Sequence, residues 1–203
     1  MPAPLIAKID RLASPAGDPP ARFLDVVNTV PGLEAVHLLR SLDGAQHVGI
    51  WLWRGREGMQ AGHDALAEKM HPLGPPAKIE ERILDVVDVD GDVAATGATV
   101  AVMVHLGPFT TTAQREAYVA NVPRVNTALR TLSGFRTSLM LSDPAGRDLL
   151  GVTFWGEMPQ QDAVQAAIGA QPVPAGIDSS LLREPSYVER YQIAHSIRPA
   201  VSV

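Results

Sequence analysis

The chain has 203 residues, 46% of them hydrophobic and 19% charged, which is typical of a globular protein with one large domain or two of about 100 residues. Its net charge of −5 argues against nucleic acid or an anionic membrane surface as the main partner. Because there is no cysteine, disulfides, thiolate nucleophiles and thiolate metal sites are excluded.

The segment Met1–Leu12 lacks the apolar run of a signal peptide, and the longest apolar stretch, Val100–Val104, is too short to cross a bilayer. We therefore expect a cytoplasmic protein that binds neither membranes nor nucleic acid.

The first half of the chain is predicted to contain strands and helices in the order β-α-β-β-α-β. Asp43-Gly44 is a strong signal for a tight hairpin turn. In chain order the predicted segments are strand Leu5–Leu12, a helix opening at Asp18-Pro19-Pro20 and running to Thr29, strands Val36–Leu42 and Val48–Trp53, helix Glu57–Lys69, a Pro-rich loop from His71 to Pro76, and strand Ile79–Val89.

The second half is predicted to repeat this order. Pro123 is expected to kink its long first helix or divide it in two. The segments are strand Thr99–Leu106, a helix capped by Thr110–Thr112 and running towards Leu132, strands Leu139–Leu141 and Leu149–Trp155, helix Gln160–Ala170, and strand Tyr187–Ile197.

The two halves also align residue by residue. Gly32 matches Gly134 and Trp53 matches Trp155, both at an offset of 102 residues. We predict a tandem duplication, with repeat 1 at residues 1–90, a linker at 91–98 and repeat 2 at 99–203.

The strands are apolar on both faces, since Ile50 and Leu52 alternate with Trp51 and Trp53. Strands of this kind are covered on both sides. The expected α+β fold therefore packs the sheets of two ferredoxin-like units against each other within one chain.

A hairpin led by Gly, with a third strand ending in Trp just before the second helix, resembles the antibiotic biosynthesis monooxygenase-like domains of the dimeric α/β-barrel superfamily. The residues that carry the likeness are Val48–Arg54 and Leu150–Glu157. The resemblance implies an intrachain dimeric α/β barrel with a pocket between helices and sheet. The family that it resembles includes cofactor-free oxygenases of anthrones and quinols, haem-degrading oxygenases, and many members with no established activity.

The Trp residues are the first candidates for substrate binding. Trp53 and Trp155, with Trp51 on the same strand face as Trp53, could stack on a flat aromatic ligand. The alternative is that they fill the core beneath the second helix of each half.

His63 lies where the resemblance places the iron ligand of haem-degrading members, with Gln165 at the matching position. The alternative is a solvated helix histidine. The first strands lack the Asn that the resemblance calls for, which weakens the haem interpretation.

His105 is a candidate general base for a phenol or α-carbonyl proton. It shares a strand face with Ala101 and Met103, and the role requires that this face look towards the helices. The alternative is a histidine at a strand edge.

Asn28, Tyr118 and Asn121 could orient a quinol oxygen, and Asn121 could also handle its proton. The alternatives are a helix C-cap for Asn28 and exposed polar positions for the other two.

The preferred function is a cofactor-independent monooxygenase acting on a small reduced aromatic molecule of anthrone or quinol type. The alternatives are a haem-binding or haem-degrading protein and a non-catalytic small-molecule-binding protein. No metal site is predicted, and the chain is expected to be a monomeric pseudo-dimer or a further homodimer. Because the halves have diverged, we expect only one of them to keep an open, active pocket.

Overall fold

A computed structural model describes residues 4–13, 21–70 and 78–199 of the chain. The predicted helix opening at residues 18–20 and the Pro-rich loop at residues 71–76 lie outside the described residues.

The elements follow the order β-α-β-β-α-β twice, so the predicted α+β class is confirmed. The first six are β1 (Leu5–Ala13), α1 (Ala21–Val27), β2 (Leu33–Ser41), β3 (Gln46–Arg54), α2 (Gly55–Met70) and β4 (Lys78–Asp90). The remainder are β5 (Val100–Leu106), α3 (Thr112–Leu129), β6 (Phe135–Ser142), β7 (Leu149–Trp155), α4 (Gln161–Ala170), a 3-10 turn at Ser179–Leu181, and β8 (Tyr187–Ile197).

The strands hydrogen-bond in the order β1-β3-β2-β8-β5-β7-β6-β4, which closes into an eight-stranded barrel. Two compact units are divided after Asp85, within β4, and after Arg190, within β8. The fourth strand of each predicted repeat therefore spans both units. The duplication at residues 1–90 and 99–203 stays a prediction.

In the first unit the pairing of β1 with β3 decides which side chains face the helices. Ile6 lies opposite Trp53, and Ala7 lies opposite Leu52. Opposite residues of an antiparallel pair share a face, so the two pairs point to opposite sides of the sheet. Ile6 and Trp53 pack under α1 and α2 in one core cluster, whose other buried members are Val27, Val30, Leu33, Val36 and Trp51.

The second unit has the same arrangement. Val100 lies opposite Trp155, and Val102 lies opposite Thr153. The helix-side cluster consists of Val100, Val102, Leu129 and Trp155, with residues of α3 and α4 packed against it.

Two local predictions about α3 have different outcomes. Thr111 is the N-cap, and its side chain accepts a hydrogen bond from the backbone N–H of Gln114, as the Thr110–Thr112 run predicted. The sequence predicts that Pro123 kinks the helix or divides it. The division is wrong, since α3 runs through Pro123 from Thr112 to Leu129, and the kink stays a prediction. Proline removes one backbone hydrogen bond, and Val122 and Leu129, one on either side of it, are buried.

Within the described part of the chain, no helix has the length and apolar character needed to span a bilayer.

The close packing of α2 on β3 depends on Gly62. An alanine Cβ there would lie 2.1 Å from Cζ3 of Trp53 and 2.8 Å from the carbonyl oxygen of Pro31. We expect Gly62→Ala to lower the free energy of unfolding by about 1–3 kcal/mol, measured by urea denaturation. Gly169→Ala, in α4 with open space around the new methyl group, is the matched control and should raise it by about 0.5–1 kcal/mol. An equal response of the two variants would contradict this packing.

Candidate aromatic binding site

Two tryptophans form the centre of the helix-side face in the first unit. The rings of Trp51 and Trp53 are nearly parallel, with centroids 6.4 Å apart and planes 12° apart. Phe23 of α1 meets Trp51 edge-on at 6.1 Å. The exposed fractions of Trp51 and Trp53 are only 6% and 1%. Trp51 and Trp53, which the sequence predicts to share a strand face, therefore form one buried aromatic wall under the helices.

Both indole N–H groups of this wall are buried without a hydrogen-bond partner among the described residues. Buried tryptophan N–H groups usually find an acceptor, and leaving one unpaired costs about 1–3 kcal/mol. Two such donors side by side on one strand mark a place where an external acceptor would be stabilised.

The local sequence explains how the rings fit. A Cβ at Gly49 would lie 2.7 Å from Nε1 of Trp51, so only glycine leaves space for this indole edge. Gly62 does the same for the ring of Trp53 on the helix side.

Charged side chains lie next to this wall on the same face. Lys8 is opposite Trp51 and Asp10 is opposite Gly49 in the pairing of β1 with β3. Nζ of Lys8 lies 3.4 Å from Oδ2 of Asp10 and 3.2 Å from Oε2 of Glu81 on β4. Lys8 and Asp10 are each 6% exposed, so an ion pair is buried beside two unpaired N–H donors.

The sequence prediction did not include Lys8, Asp10 or Glu81 among the site residues. The available signal was the alternation of charged Lys8 and Asp10 with apolar Ala7 and Ile9 in a strand interpreted as apolar. Charged residues on one face of an otherwise buried strand are uncommon unless they are paired. Glu81 could not be placed beside Lys8 and Asp10 from the sequence, because this requires knowing that β4 pairs with β1.

The corresponding face of the second unit is closed by its own contacts. Nε1 of Trp155 donates to Oγ1 of Thr153 at 2.8 Å, and Thr153 stands where the first half has Trp51. Val102 and Val104 occupy the register positions of Lys8 and Asp10, since they lie opposite Thr153 and Gly151. Trp155, 1% exposed, is a core residue with its donor satisfied.

A chain of polar side chains continues from Thr153 within the second unit. Ser138 pairs with Thr153 across β6 and β7. Its hydroxyl donates to Oδ1 of Asn126 at 2.8 Å, and Nδ2 of Asn126 donates to Oδ2 of Asp88 at 3.0 Å. The buried donors of this chain are therefore used internally.

The structure directs His105 away from the helices. It shares the face of Ala101 and Met103, while Val100 and Val102 form the helix-side cluster. Nε2 of His105 lies 2.6 Å from Oε2 of Glu189, and its ring stacks on Tyr187 at 3.8 Å. The condition attached to its role as a general base is not met, and its described contacts tie β5 to β8.

The described contacts of His63 and Asn121 are local. His63 is exposed on α2, with Nδ1 3.8 Å from Asp64. Asn121 is buried on α3, and its Oδ1 accepts from Nη1 of Arg124 at 3.3 Å. Arg124 in turn donates to the carbonyl oxygens of Ile168 and Gln171 at the end of α4, so Asn121 helps to hold a helix cap.

The remaining candidates have local partners too. Nδ2 of Asn28 donates to the carbonyl oxygen of Leu24, in keeping with the C-cap alternative. The hydroxyl of Tyr118 donates to the carbonyl oxygen of Arg183 and accepts from its N–H, both at 2.5 Å. Burial raises the pKa of the Tyr118 phenol, although its hydrogen bond to Arg183 opposes this.

Within the described residues, no three His, Asp or Glu side chains are placed to hold one metal ion.

Comparison with known proteins supports the fold. No family model matches the sequence, and no curated protein matches it. An anthrone oxidase-like protein of known structure is similar over 98% of this chain and 95% of its own, with a TM-score of 0.56 and 17% identity. A candidate monooxygenase from Fusobacterium nucleatum is similar over 95% and 93%, with a TM-score of 0.62 and 14% identity.

A third structure extends the comparison to the group that the sequence resembles. A ferredoxin-fold protein from Listeria monocytogenes, related to antibiotic biosynthesis monooxygenases, is similar over 94% of this chain and 95% of its own, at 11% identity and a TM-score of 0.50. The chain therefore has the fold of these proteins, a dimeric α/β barrel within one polypeptide.

The hydrogen bond from Trp155 to Thr153 is open to a direct test. Thr153→Val keeps the side-chain shape but removes the acceptor, so the free energy of unfolding should fall by about 1–3 kcal/mol. Thr153→Ser keeps the hydroxyl and loses one methyl group, and should cost only about 0.8 kcal/mol. Urea denaturation of both variants measures the difference, and a smaller loss for valine than for serine would refute the bond.

Proposed function

We propose that this protein is a cofactor-independent monooxygenase of a reduced aromatic molecule of anthrone or quinol type, and that its site is the first-half face of Trp51, Trp53, Lys8 and Asp10. The observation that carries the proposal is the pair of buried indole N–H groups without an acceptor in the described structure, beside a buried ion pair.

The donors favour a ligand that carries oxygen acceptors on a flat ring system. A carbonyl or phenolate oxygen would relieve the unpaired N–H groups of Trp51 and Trp53. Hydrogen bonds to an oxygen that gains negative charge are about twice as strong as neutral ones, so these donors would favour the ionised substrate. The nearly parallel rings fit a planar aromatic molecule better than an aliphatic one.

Lys8 and Asp10 supply the acid–base chemistry in this proposal. The Asp10 carboxylate accepts a proton from the substrate, and the Lys8 ammonium stabilises the resulting oxyanion in a site of low dielectric. For an anthrone, the CH₂ carbon loses this proton and the anion gives electrons to dioxygen. That carbon becomes a carbonyl with one oxygen atom of dioxygen, and the other atom leaves as water with the two CH₂ hydrogens.

The divergence of the two halves supports a single working site. The second half has Val102, Val104 and Thr153 at the positions of Lys8, Asp10 and Trp51. Its Trp155 donor is paired internally. One of the solved structures with a similar fold is an anthrone oxidase-like protein. This likeness concerns the fold alone, and it is in keeping with the proposed substrate class.

Oxygen uptake by the purified, EDTA-treated protein tests the proposal, with a panel of anthrones and hydroquinones as substrates. We expect uptake above the protein-free rate, and a fall of roughly tenfold in kcat/KM for Trp53→Phe and for Trp51→Phe, since each loses one N–H donor to the developing oxyanion. Asp10→Asn should lose more, since it removes the base.

Two variants serve as matched controls for this experiment. Trp155→Phe makes the same change in the second half, and His105→Ala removes the histidine that faces away from the helices. Both should keep the wild-type rate in the folded protein. No uptake with any compound would refute oxygenase chemistry, and loss in Trp155→Phe alone would move the site to the second half.

A further inference from the structure

We propose that Trp51 and Asp10 together hold one phenolic hydroxyl of the substrate over Gly49, and so select aromatic molecules that bear a free hydroxyl. This inference deepens the proposed function and rests on it for the class of substrate. It adds a role for Gly49 as the residue that determines this specificity.

The N–H group of Trp51 lies over Gly49. A Cβ built on Gly49 would lie 2.7 Å from Nε1 of Trp51 and 3.5 Å from Cδ1 and Cε2 of the same ring. The indole N–H is buried and has no acceptor among the described residues. Any larger residue at position 49 would therefore cover this donor with its side chain, whereas glycine does not.

Strand pairing places a carboxylate beside this donor. Asp10 of β1 lies opposite Gly49 of β3, and Lys8 lies opposite Trp51. Opposite residues of such a pair have their Cβ positions about 4.5–5.5 Å apart, so one small ligand group can reach both the N–H and the carboxylate. Asp10 contacts Lys8 at 3.4 Å through one oxygen. A carboxylate has about four acceptor positions and can take a further hydrogen bond.

A hydroxyl is the group that matches both neighbours. Its oxygen accepts a hydrogen bond from the N–H of Trp51, and its O–H donates one to the carboxylate of Asp10. A carbonyl or ether oxygen only accepts, and a carboxylate on the ligand would be repelled by Asp10. Hydrogen bonds to a carboxylate are about twice as strong as neutral ones. Quinols and hydroxyanthrones therefore fit this position better than their ethers or an unsubstituted anthrone.

The register partners of Trp53 are apolar instead. Trp53 lies opposite Ile6 on β1 and Leu33 on β2. These two side chains offer no acceptor, so a ligand atom at this indole need only accept a hydrogen bond, and a carbonyl oxygen is sufficient. The two indoles thus bind different groups of one planar molecule, a hydroxyl at Trp51 and a carbonyl at Trp53.

The matching glycine of the second half lies among apolar side chains. A Cβ at Gly151 would be 3.7 Å from Cε of Met140 and 3.8 Å from Cβ of Val104, which are ordinary contacts. Val104 also has the register position that Asp10 has in the first half. Alanine fits at position 151, so Gly151→Ala is the matched control for Gly49→Ala.

Equilibrium binding tests the hydroxyl site without any reaction. The probes are β-naphthol, its methyl ether and naphthalene, which share one ring system, and calorimetric titration measures their affinities. We expect wild type to bind β-naphthol at least about tenfold more tightly than either other probe, since each of them leaves buried polar groups unmatched. Naphthalene is smaller than β-naphthol, so its weaker binding cannot be steric.

Four variants locate this preference. Trp51→Phe removes the donor and Gly49→Ala places a methyl group against it, so each should reduce the preference to about twofold or less. Trp53→Phe and Gly151→Ala make the same chemical changes elsewhere and should keep the wild-type ratio. Urea denaturation checks that each variant is folded, and Trp51→Phe alone decides the test if Gly49→Ala is not.

Several outcomes would overturn the hydroxyl site: no binding of β-naphthol, equal affinity of wild type for the three probes, or a preference that persists in Trp51→Phe. Oxygen uptake separates this failure from that of the proposed function. Equal uptake with a hydroxyanthrone and with its methyl ether would refute the selection while the oxygenase stands. No uptake with any compound would remove the oxygenase, and the naphthol ratio would still decide whether the site binds a phenol.

Discussion

The antiparallel register between β1 and β3 is the constraint on which the candidate site depends. It sets Ile6 opposite Trp53, Lys8 opposite Trp51 and Asp10 opposite Gly49, so that all of them face the helices. A shift of one residue would move the whole charged set to the other side of the sheet. The unpaired indole donors and the ion pair are therefore one arrangement, produced by a single pattern of backbone hydrogen bonds.

The two halves have the same strand pairing but differ in how their buried indole N–H groups are paired. In the second half a threonine at position 153 satisfies the neighbouring indole, and Ser138, Asn126 and Asp88 form a chain of hydrogen bonds. In the first half the matching position carries Trp51, which brings a second donor instead of an acceptor. The difference between Thr153 and Trp51 at this one strand position therefore distinguishes the two halves. The indole donor is paired in the second half and unpaired, among the described residues, in the first.

Much of the fold could be predicted from the sequence, because apolar alternation and turn residues are local signals. Strands such as β7 and β8 were predicted with the bounds that the structure has. The site was harder to predict. Alternation shows that Ala101, Met103 and His105 share a face, but not which face the helices cover when both are apolar. The partnership of Asp10 with Glu81 depends on strand pairing between distant segments, which no local pattern contains.

The unpaired donors of Trp51 and Trp53 also bear on how long the protein survives in a cell. An acceptor-bearing compound that binds only the folded chain raises its stability, by about 2.7 kcal/mol at a hundred times its dissociation constant. A change of this size alters the fraction of unfolded chains open to proteases and can change abundance several-fold. Under the proposed function, the supply of the aromatic substrate would set the amount of protein as well as the rate of its oxidation.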